Sequence, residues 1–387
     1  MTPVDLRHLA QNPPDNDVER RELYEAARAL EISLERPSDT MSRLSSSVQE
    51  IHLAQIGVDM KLFRILAEDE SLSLAELADK TGADAVLLVR LLRHYIAHGF
   101  LIEKDNGSYN ANSITKWLAT DSAEGGIYHY GRTIGPVLSA LPDVLKQQNY
   151  RNPSDSTKTA FQVAFDINIP AYQWVPSDER AMEAFLAFLN VPRPDRKKWF
   201  DVFPLDQLRR SDAEESDDRV LLVDVGGSTG GQSIAFREAA GLSGRIILQD
   251  LAHTIAKANK ADLERHQIEP QITDFFQKQP VNGAKAYYLR YIMHDWVEAK
   301  CIEILQRLRE AMAEDSLILI DEMVLPQSGA SWKQARADIQ MMACHASMER
   351  SEQQWRDLLR KAGLRLREVV TYDEEMRNAI IVAVKGE

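Results

Sequence analysis

One short segment limits the fold of this chain more than any other feature. Residues 220–225 read VLLVDV, an almost unbroken apolar run, the glycine-rich GGSTGG follows, and QSIAFREAA then has the composition of a helix. A strand that is apolar on both faces is typical of a buried parallel sheet. A glycine-rich turn into a helix lets a ligand approach the backbone and the free N–H groups of the first helical turn. The segment therefore predicts an α/β unit with a ligand site at its turn.

The rest of the C-terminal half continues this pattern. Further strand candidates are RIILQDL, KAYYLRYIM, SLILIDEMVL and NAIIVAVK, and helices such as EAKCIEILQRLREAM lie between them. Strands that alternate with helices indicate a mostly parallel, doubly wound α/β sheet. The charged stretch RRSDAEESDDR precedes the first strand, so we place a domain boundary near 211–218 and a catalytic domain at 212–387.

The N-terminal half has a helical pattern. Apolar residues at spacings of three and four predict helices in LYEAARALEISL and IHLAQIGVDMKLFRIL. Two further helices separated by a turn at Thr81–Gly82, and then a hairpin at Asn106–Gly107, form a winged-helix layout. We assign the helical winged-helix domain to 1–120. The proline- and aromatic-rich stretch 121–211 is a helical connector that we expect to contribute to a substrate pocket.

A winged helix binds DNA or serves as a packing and dimerisation module. The chain has 46 basic and 59 acidic residues, a net charge of -13, which repels the phosphates of nucleic acids and of anionic membranes. We therefore expect a dimerisation module, with neither nucleic acid nor membrane as a partner. The sequence has neither a secretory signal pattern nor an apolar run of about 18 residues, so we expect a cytoplasmic protein. Cys301 and Cys344 form no metal-binding motif, and we expect no metal.

Residues at the ends of the first two strands form a candidate cofactor site. GGSTGG fits neither the dinucleotide fingerprint nor a P-loop. Asp250 lies about 20 residues beyond Gly230, where a carboxylate can bind both ribose hydroxyls. These features predict an adenosine-type ligand without a pyrophosphate, held near Asp224, Gly226 and Gly227.

The next two strands add further candidates at the same edge. Asp274 in ITDFF follows a third strand and can accept a hydrogen bond from an adenine amino group, while Phe275 can stack on the ring. Ligands of open α/β sheets bind at the carboxyl ends of the strands, where these segments end. Arg290 lies on a fourth strand, and it pairs either with a carboxylate of the cofactor or only with acids of the sheet.

These motifs resemble those of class I S-adenosylmethionine (SAM)-dependent O-methyltransferases. The similar segments are LLVDVGGSTGG, RIILQDL, TDFFQKQPVNGAKAYYLRYIMHDW, LILIDEMVLP and ASMERSEQQWRDLLRKAGL. They look most like the fungal secondary-metabolism branch, which is related to plant caffeate O-methyltransferases. The resemblance implies SAM as the cofactor, an N-terminal winged-helix dimerisation domain ahead of a Rossmann-like catalytic domain, and a homodimer. The chain departs from many relatives at Ser228–Thr229, where theirs is richer in glycine, and this puts the cofactor affinity in doubt.

The resemblance also implies the catalytic residues. His294 matches the general base, and Glu322 in IDEMVLP and Glu349 in SMERS match two carboxylates that orient it. A neutral imidazole suits removal of a hydroxyl proton near pH 7, and carboxylates stabilise its cationic form. Asp295 contacts cofactor or substrate, or it caps the following helix.

The stretch IQMMACHASM carries Met341, Met342 and Met348 together with His345. Methionines on a helix serve as core residues or as adaptable walls around an apolar ligand. We favour the first interpretation.

The sequence also looks like fungal pericyclases of the leporin type, in GGIYHYGRTIGPVLSALPDVL and TKTAFQVAF. In such an enzyme His129 would match a substrate-contacting histidine, and a bound sulfonium would act as a fixed positive charge. That family holds an Arg-Asp pair where this chain has His294 and Asp295, which favours methylation. We therefore expect O-methylation of a phenolic or enolic natural product, with a pericyclase as the alternative and a non-catalytic dimer as a third class.

Overall fold

The computed structural model describes residues 3–69, 71–189, 197–209 and 219–386, so the boundary predicted near 211–218 lies outside the described residues. The chain forms two compact units, Met1–Gly131 and Arg132–Glu387. Each unit has its own core.

The first unit is helical with one small hairpin. Its helices are α1 Pro3–Gln11, α2 Asp17–Leu34, α3 Pro37–Asp59, α4 Leu62–Glu68, α5 Leu74–Thr81, α6 Ala85–Ala97, α7 Ser113–Leu118 and α8 Asp121–Tyr128, and its strands are β1 Ile102–Glu103 and β2 Tyr109–Asn110. The predicted winged-helix layout is confirmed. Ser73 caps α5, and Gly82 ends it with a left-handed φ of 68°.

Leucines of α4, α5 and α6 form the core of this unit together with Tyr95, whose hydroxyl donates to the carbonyl oxygen of Leu53 at 2.8 Å. Helix α3 approaches α4 closely at Gly57, where a Cβ atom would lie 2.6 Å from the ring of Phe63. The Leu-rich helix α6 buries Leu88 and Leu92 completely. In contrast, α2 buries no residue within the chain.

The second unit contains a helical connector and an α/β domain. A π-helical stretch, His129–Ile134, begins in the first unit and ends in the second, and the helices of the connector are α9 Gly135–Gln147, α10 Ala160–Phe165, α11 Ala171–Trp174 and α12 Glu179–Leu189. The helices of the α/β domain are α13 Gly231–Ala239, α14 Ala252–Ile255, α15 Lys260–Arg265, α16 Glu298–Ala311, α17 Trp332–His345 and α18 Glu352–Lys361. Its strands are β3 Val220–Val225, β4 Arg245–Asp250, β5 Ile268–Ile272, β6 Ala286–Arg290, β7 Leu317–Leu325, β8 Arg350–Ser351, β9 Leu364–Asp373 and β10 Asn378–Lys385.

The strands form one mostly parallel sheet, in the order β5-β4-β3-β6-β7-β10-β9, with β8 beside β7. Strands β3 to β7 are parallel, and β10 is antiparallel to both of its neighbours. The order reverses direction between β3 and β6, which is where open α/β sheets bind ligands. The predicted doubly wound fold is confirmed, and β9 was missed.

Hydrophobic clusters cover both faces of this sheet. Val223, Tyr287 and Ile318 belong to one cluster, and their neighbours along the strands belong to the other. Side chains of a strand point alternately to its two faces, so burial on both sides explains the unbroken apolar runs. Within the described residues, no helix is long and apolar enough to cross a membrane.

Candidate active site

His294 lies in a tight turn between β6 and α16. Strand β6 ends at Arg290, Tyr291 takes a left-handed φ of 49°, and Met293–Asp295 form one turn of 3-10 helix. The turn therefore leaves the sheet at the carboxyl end of β6, next to the reversal of strand order.

Glu322 of β7 holds the backbone of this turn. Its side chain is fully buried, and Oε1 accepts the backbone N–H of Ile292 at 2.9 Å and of Met293 at 2.8 Å. Because side chains alternate along a strand, Glu322 faces away from its neighbour Asp321. Oε2 of Glu322 has no hydrogen-bond partner among the described residues and lies 3.8 Å from Nδ1 of His294.

Three carboxylates surround the imidazole of His294. Nδ1 is 2.9 Å from Oε1 of Glu349, and Nε2 is 3.7 Å from Oδ1 of Asp295, while Glu322 lies on the Nδ1 side. A hydrogen bond from Nδ1 to Glu349 leaves Nε2 to act on a substrate proton. The structure thus brings together His294, Glu322, Glu349 and Asp295, whose catalytic roles stay predictions.

Burial and charge decide the protonation of this cluster. Burial lowers the pKa of His294, but the charges of Glu322 and Asp295 and the hydrogen bond to Glu349 outweigh it and raise the pKa to about 10. Burial also raises the pKa of Glu322 to about 7, against the attraction of His294. The chain alone therefore holds a protonated imidazole at neutral pH, which differs from the neutral ring expected from the sequence.

Asp295 does not cap the helix that follows it. Helix α16 begins after Val297, and no side chain caps its first turn. Oδ1 of Asp295 lies 3.7 Å from Nε2 of His294 and 3.8 Å from Nε2 of His345. Burial lowers the pKa of His345, so that ring is neutral at pH 7. Asp295 thus lies between two imidazoles.

The methionines of α17 and the turn after it are not core residues. Met341, Met342 and Met348 are only half-buried, because the buried positions at the end of α17 are taken by Ala343 and Cys344. The interpretation of these methionines as a buried core is therefore wrong. The other interpretation, adaptable walls beside a ligand, stays a prediction.

Sequence reasoning missed two residues that hold the turn of His294 in place. Arg350 is 2% exposed, and its Nη1 donates to the carbonyl oxygen of Met293 at 3.1 Å. The hydroxyl of Ser347 donates to the carbonyl oxygen of His294. The only signal in the sequence was their position within two residues of Glu349, and both contacts depend on long-range folding.

The glycine loop after β3 packs against the same turn. The backbone N–H groups of Gly226 and Gly227 donate to the carbonyl oxygen of Gln249 at 2.8 and 3.1 Å. Gly226 has a φ of 69°, and a Cβ atom there would lie 2.7 Å from Cδ1 of Ile292, two residues before His294. The left-handed φ favours glycine here, and a side chain would in addition push the end of the Ile292 side chain aside.

Asp224 packs against the glycine loop at Gly227. It is 1% exposed, its Oδ2 accepts the hydroxyl of Ser233 at 2.6 Å, and a Cβ atom on Gly227 would lie 2.4 Å from its Cγ. Burial raises the pKa of Asp224 to about 6. Gly230 completes the loop at the start of α13, with a φ of 90°. A direct contact of Asp224 with a cofactor stays a prediction.

Asp250, the last residue of β4, holds the glycine loop through a hydrogen bond. Its Oδ2 accepts the backbone N–H of Ser228 at 2.9 Å, and its Oδ1 accepts that of Leu251 at 2.7 Å. A carboxylate oxygen has a second lone pair, so both oxygens can still accept hydrogen bonds from a ligand. Ser228 itself has a left-handed φ of 56°, a conformation that glycine adopts more readily.

Asp274 and Phe275 lie beyond the end of β5. Oδ1 of Asp274 accepts the backbone N–H of Phe276 at 3.0 Å. Cε1 of Phe275 lies 3.6 Å from the point that a Cβ atom on Gly226 would occupy, and its ring meets that of Trp296 edge-on at 5.9 Å. The structure therefore places Phe275 at the glycine loop.

Arg290 pairs with an acid of the sheet. Its Nε lies 3.6 Å from Oδ2 of Asp321, which is fully buried and accepts the hydroxyls of Tyr288 at 2.6 Å and Tyr372 at 2.7 Å. Burial lowers the pKa of Arg290, but the charge of Asp321 raises it above its ordinary value. Of the two alternatives for Arg290, the structure shows the pairing with a sheet acid.

His129 belongs to the first unit, where it follows α8. It is 4% exposed, its ring meets that of Tyr130 edge-on at 5.4 Å, and burial lowers its pKa to about 4. His129 is therefore neutral at pH 7. Its contact with a substrate stays a prediction.

Comparison with protein families identifies two regions of the chain. Residues 53–121 match the family described as an O-methyltransferase dimerisation domain, and residues 206–365 match the O-methyltransferase domain. The chain is also 36% identical to the demethylsterigmatocystin 6-O-methyltransferase of Aspergillus flavus, over 99% of each protein.

Solved structures agree with this assignment. One described as "A Pericyclic Reaction enzyme" superimposes with a TM-score of 0.89 at 35% identity, covering 99% of this chain and 97% of the other. The structure of LepI in complex with SAM gives a TM-score of 0.86 at 34% identity, with the same coverage. Solved structures with this fold thus include a complex with SAM. The chain is a SAM-dependent enzyme that belongs to the O-methyltransferase family.

Proposed function

We propose that this chain transfers a methyl group from SAM to a phenolic or enolic hydroxyl of a small natural product, with His294 as the general base. The observation that carries the proposal is the 2.9 Å contact between Nδ1 of His294 and Glu349, in a ring flanked by two further carboxylates. The name of the Aspergillus flavus relative, a 6-O-methyltransferase, supports an oxygen atom as the acceptor.

The residues at the glycine loop fit the cofactor. The left-handed φ of Gly226 favours a residue without a side chain at the loop, and the oxygens of Asp250 can accept two ribose hydroxyls. Phe275 offers an aromatic face beside the loop, and Asp274 lies next to it. When bound, SAM supplies an electrophilic methyl group on a positively charged sulfur.

The residues of the turn handle the proton. Nε2 of His294 takes the proton of the acceptor hydroxyl, while Glu349 keeps Nδ1 as the donor and fixes the tautomer. Glu322 and Asp295 stabilise the resulting cation, since their charges raise the pKa of His294. Added positive charge near the ring, such as a sulfonium, lowers that pKa and frees Nε2 to accept.

Replacement of His294 tests this role. We expect His294→Ala to abolish methylation of a panel of phenols and enolic pyridones, measured with methyl-labelled SAM. The loss should reach at least about a hundredfold, the usual contribution of a general base. SAM affinity, measured by calorimetry, should stay similar, because the cofactor residues named above lie on the glycine loop and on β4 and β5.

The matched control is His266→Ala. His266 also pairs with a carboxylate, Glu238 at 3.1 Å, but it lies before the start of β5, at the opposite end of that strand from Asp274. Its variant should methylate at the wild-type rate. Retained turnover in His294→Ala, with the control equally active, would overturn the assignment of the base.

The second candidate function is that of a SAM-binding pericyclase, which closes rings without methyl transfer. The TM-score of 0.89 to a structure described as a pericyclic reaction enzyme supports it. In that case His129 contacts the substrate and the sulfonium charge stabilises developing negative charge. The complete acid-base set around His294 favours methylation, because a pericyclic reaction needs no hydroxyl base.

We further propose a homodimer in which the helices of the first unit meet a second copy. The match to a dimerisation domain supports this, and α2 exposes an apolar set that includes Tyr24, Ile32 and Leu34. The connector 132–189 of the second unit supplies pocket walls in this proposal. Tyr172 of α11 lies 4.7 Å, between ring centroids, from Trp296 of the catalytic turn.

A further inference from the structure

We propose that Tyr291 is a positioning residue whose ring fixes the plane of the His294 imidazole. The proposal rests on the role of His294 as the base. It concerns a residue that lies between the end of β6 and the catalytic turn and to which neither the sequence motifs nor the proposed function gives a role.

The backbone of Tyr291 is held in an unusual conformation. Its φ of 49° lies in the left-handed region, which bulky side chains rarely adopt. Its N–H donates to the carbonyl oxygen of Asp321 at 3.2 Å, so the sheet keeps this conformation in place. Residues in such conformations concentrate at functional sites, where surrounding structure maintains them.

The ring of Tyr291 lies between His294 and the ion pair of Arg290 with the buried Asp321. It stacks on the imidazole of His294, with centroids 5.4 Å apart and an interplanar angle of 22°. The guanidinium carbon of Arg290 lies 5.1 Å from the centroid of the same ring. Arg290 is in turn held by Asp321, at 3.6 Å. The imidazole therefore packs on a ring that is itself fixed by the sheet.

A base that is held by one hydrogen bond needs a second restraint. The bond from Nδ1 to Glu349 fixes one direction of the imidazole of His294, but it leaves rotation of the ring plane about that direction. Stacking on Tyr291 restricts this rotation and keeps Nε2 aimed at one place. Small errors in the aim of a catalytic group have large effects on rate.

The ring, not the backbone, is what tyrosine supplies at this position. Glycine adopts a left-handed φ without steric cost, so a turn that only needed this geometry would be satisfied by glycine. Tyr291→Gly therefore keeps the turn and removes the stack. Tyr291→Phe keeps both the turn and the stack, and it removes only the hydroxyl.

The test compares these two variants with Gln267→Gly, which replaces another left-handed residue, φ 55°, before the start of β5. We expect Tyr291→Gly to lower kcat at least about tenfold, ~1.4 kcal/mol in the barrier, with KM for SAM changed less than about twofold. Tyr291→Phe and Gln267→Gly should stay within about twofold of wild type in both constants.

A spectroscopic readout separates positioning from general damage. In protein labelled with 15N at histidine, the two ring nitrogens of His294 should give distinct, sharp signals in wild type and in Tyr291→Phe. In Tyr291→Gly they should broaden or average. If Tyr291→Gly does not fold, Tyr291→Asn serves instead, because asparagine tolerates the left-handed region.

Unchanged kcat and unchanged histidine signals in the ring-deleted variant would overturn the proposal. The outcome is distinguishable from failure of the base assignment. If His294 is not the base, His294→Ala remains active. If only the positioning proposal fails, His294→Ala is inactive and the Tyr291 variants behave like wild type.

Discussion

Three carboxylates surround the imidazole of His294, although one is enough to orient a histidine base. Glu349 accepts its Nδ1–H, Glu322 lies behind it with one unpartnered oxygen, and Asp295 lies on the Nε2 side. These charges favour the imidazolium, the state that exists after the proton has been taken from the acceptor. In the proposed role of His294, these charges therefore stabilise the product of the proton step, and added positive charge near the ring lowers its pKa.

Glu349→Gln tests this charge balance through pH. Wild-type His294 has a pKa raised to about 10, and only the neutral ring acts as a base, so activity rises with pH through the pKa that applies in the cofactor complex. Removal of the Glu349 charge lowers the pKa of His294. The acid limb of the kcat profile should therefore move to lower pH, while the maximal rate falls by about tenfold or more, because the weaker base is also less well oriented.

The control for this profile is Glu269→Gln. Glu269 pairs with Arg245 at 2.7 Å, and both side chains are about half exposed on β4 and β5. Its variant should keep the wild-type acid limb. An acid limb of Glu349→Gln that stays in place or moves to higher pH would show that Glu349 does not act on the base.

At the scale of elements, three separate segments of the sequence place the residues of the site at one edge of the sheet. The turn that carries His294 follows β6, Glu322 lies on β7, and Glu349 comes just before β8. Arg290 pairs in register with Asp321, so Glu322 is one residue beyond the end of β6 and lies beside the turn. The lengths of β6 and β7 therefore place the carboxylate against the backbone that it holds.

Much of this arrangement could be predicted from the sequence. The strands β3, β4, β6, β7 and β10 are mostly apolar because both faces of the sheet are buried, and the glycines after β3 mark a turn with left-handed φ values. Strand β9 was missed, because LRLREVVTYD mixes charged and apolar residues as edge strands do.

What the sequence could not show depends on distant contacts. The protonated state of His294 arises from carboxylates of three separate segments, and no local pattern encodes their sum. The methionines of α17 were wrongly assigned to the core, because helical spacing does not reveal which face the small residues Ala343 and Cys344 occupy. The hydrogen bond from Arg350 to the carbonyl oxygen of Met293 joins residues 57 positions apart, so no local pattern predicts it.

Helix α2 gives an element-scale prediction about assembly. Several of its apolar side chains are exposed among the described residues, including Ile32 at 50% and Leu34 at 70%. We expect the wild-type protein to be a dimer by light scattering, and Ile32→Lys to raise the dimer Kd at least about tenfold, ~1.4 kcal/mol.

Tyr150→Lys is the matched control for assembly, since Tyr150 is a 76% exposed aromatic residue of the second unit. Its variant should dimerise like wild type. A wild-type monomer at micromolar concentration, or a dimer that Ile32→Lys leaves unchanged, would contradict a role of α2 in the interface.

At the scale of the whole molecule, the same fold serves two chemistries. The chain is similar over nearly its full length both to a named O-methyltransferase and to a structure described as a pericyclic reaction enzyme. Fold therefore cannot decide between methyl transfer and ring closure, and the decision lies with the side chains at the site. In the proposed function, His294 with its carboxylates accepts a proton, a step that methyl transfer to a hydroxyl uses and ring closure does not.

The measurement that decides between them is the fate of the cofactor methyl group. The purified full-length protein is incubated with methyl-labelled SAM and an acceptor panel of phenols and enolic pyridones, and mass spectrometry quantifies S-adenosylhomocysteine and labelled product. We predict one S-adenosylhomocysteine for each methylated product, and neither compound with His294→Ala. Consumption of an acceptor to an unlabelled cyclised product, with SAM intact, would contradict methyl transfer as the function of this chain.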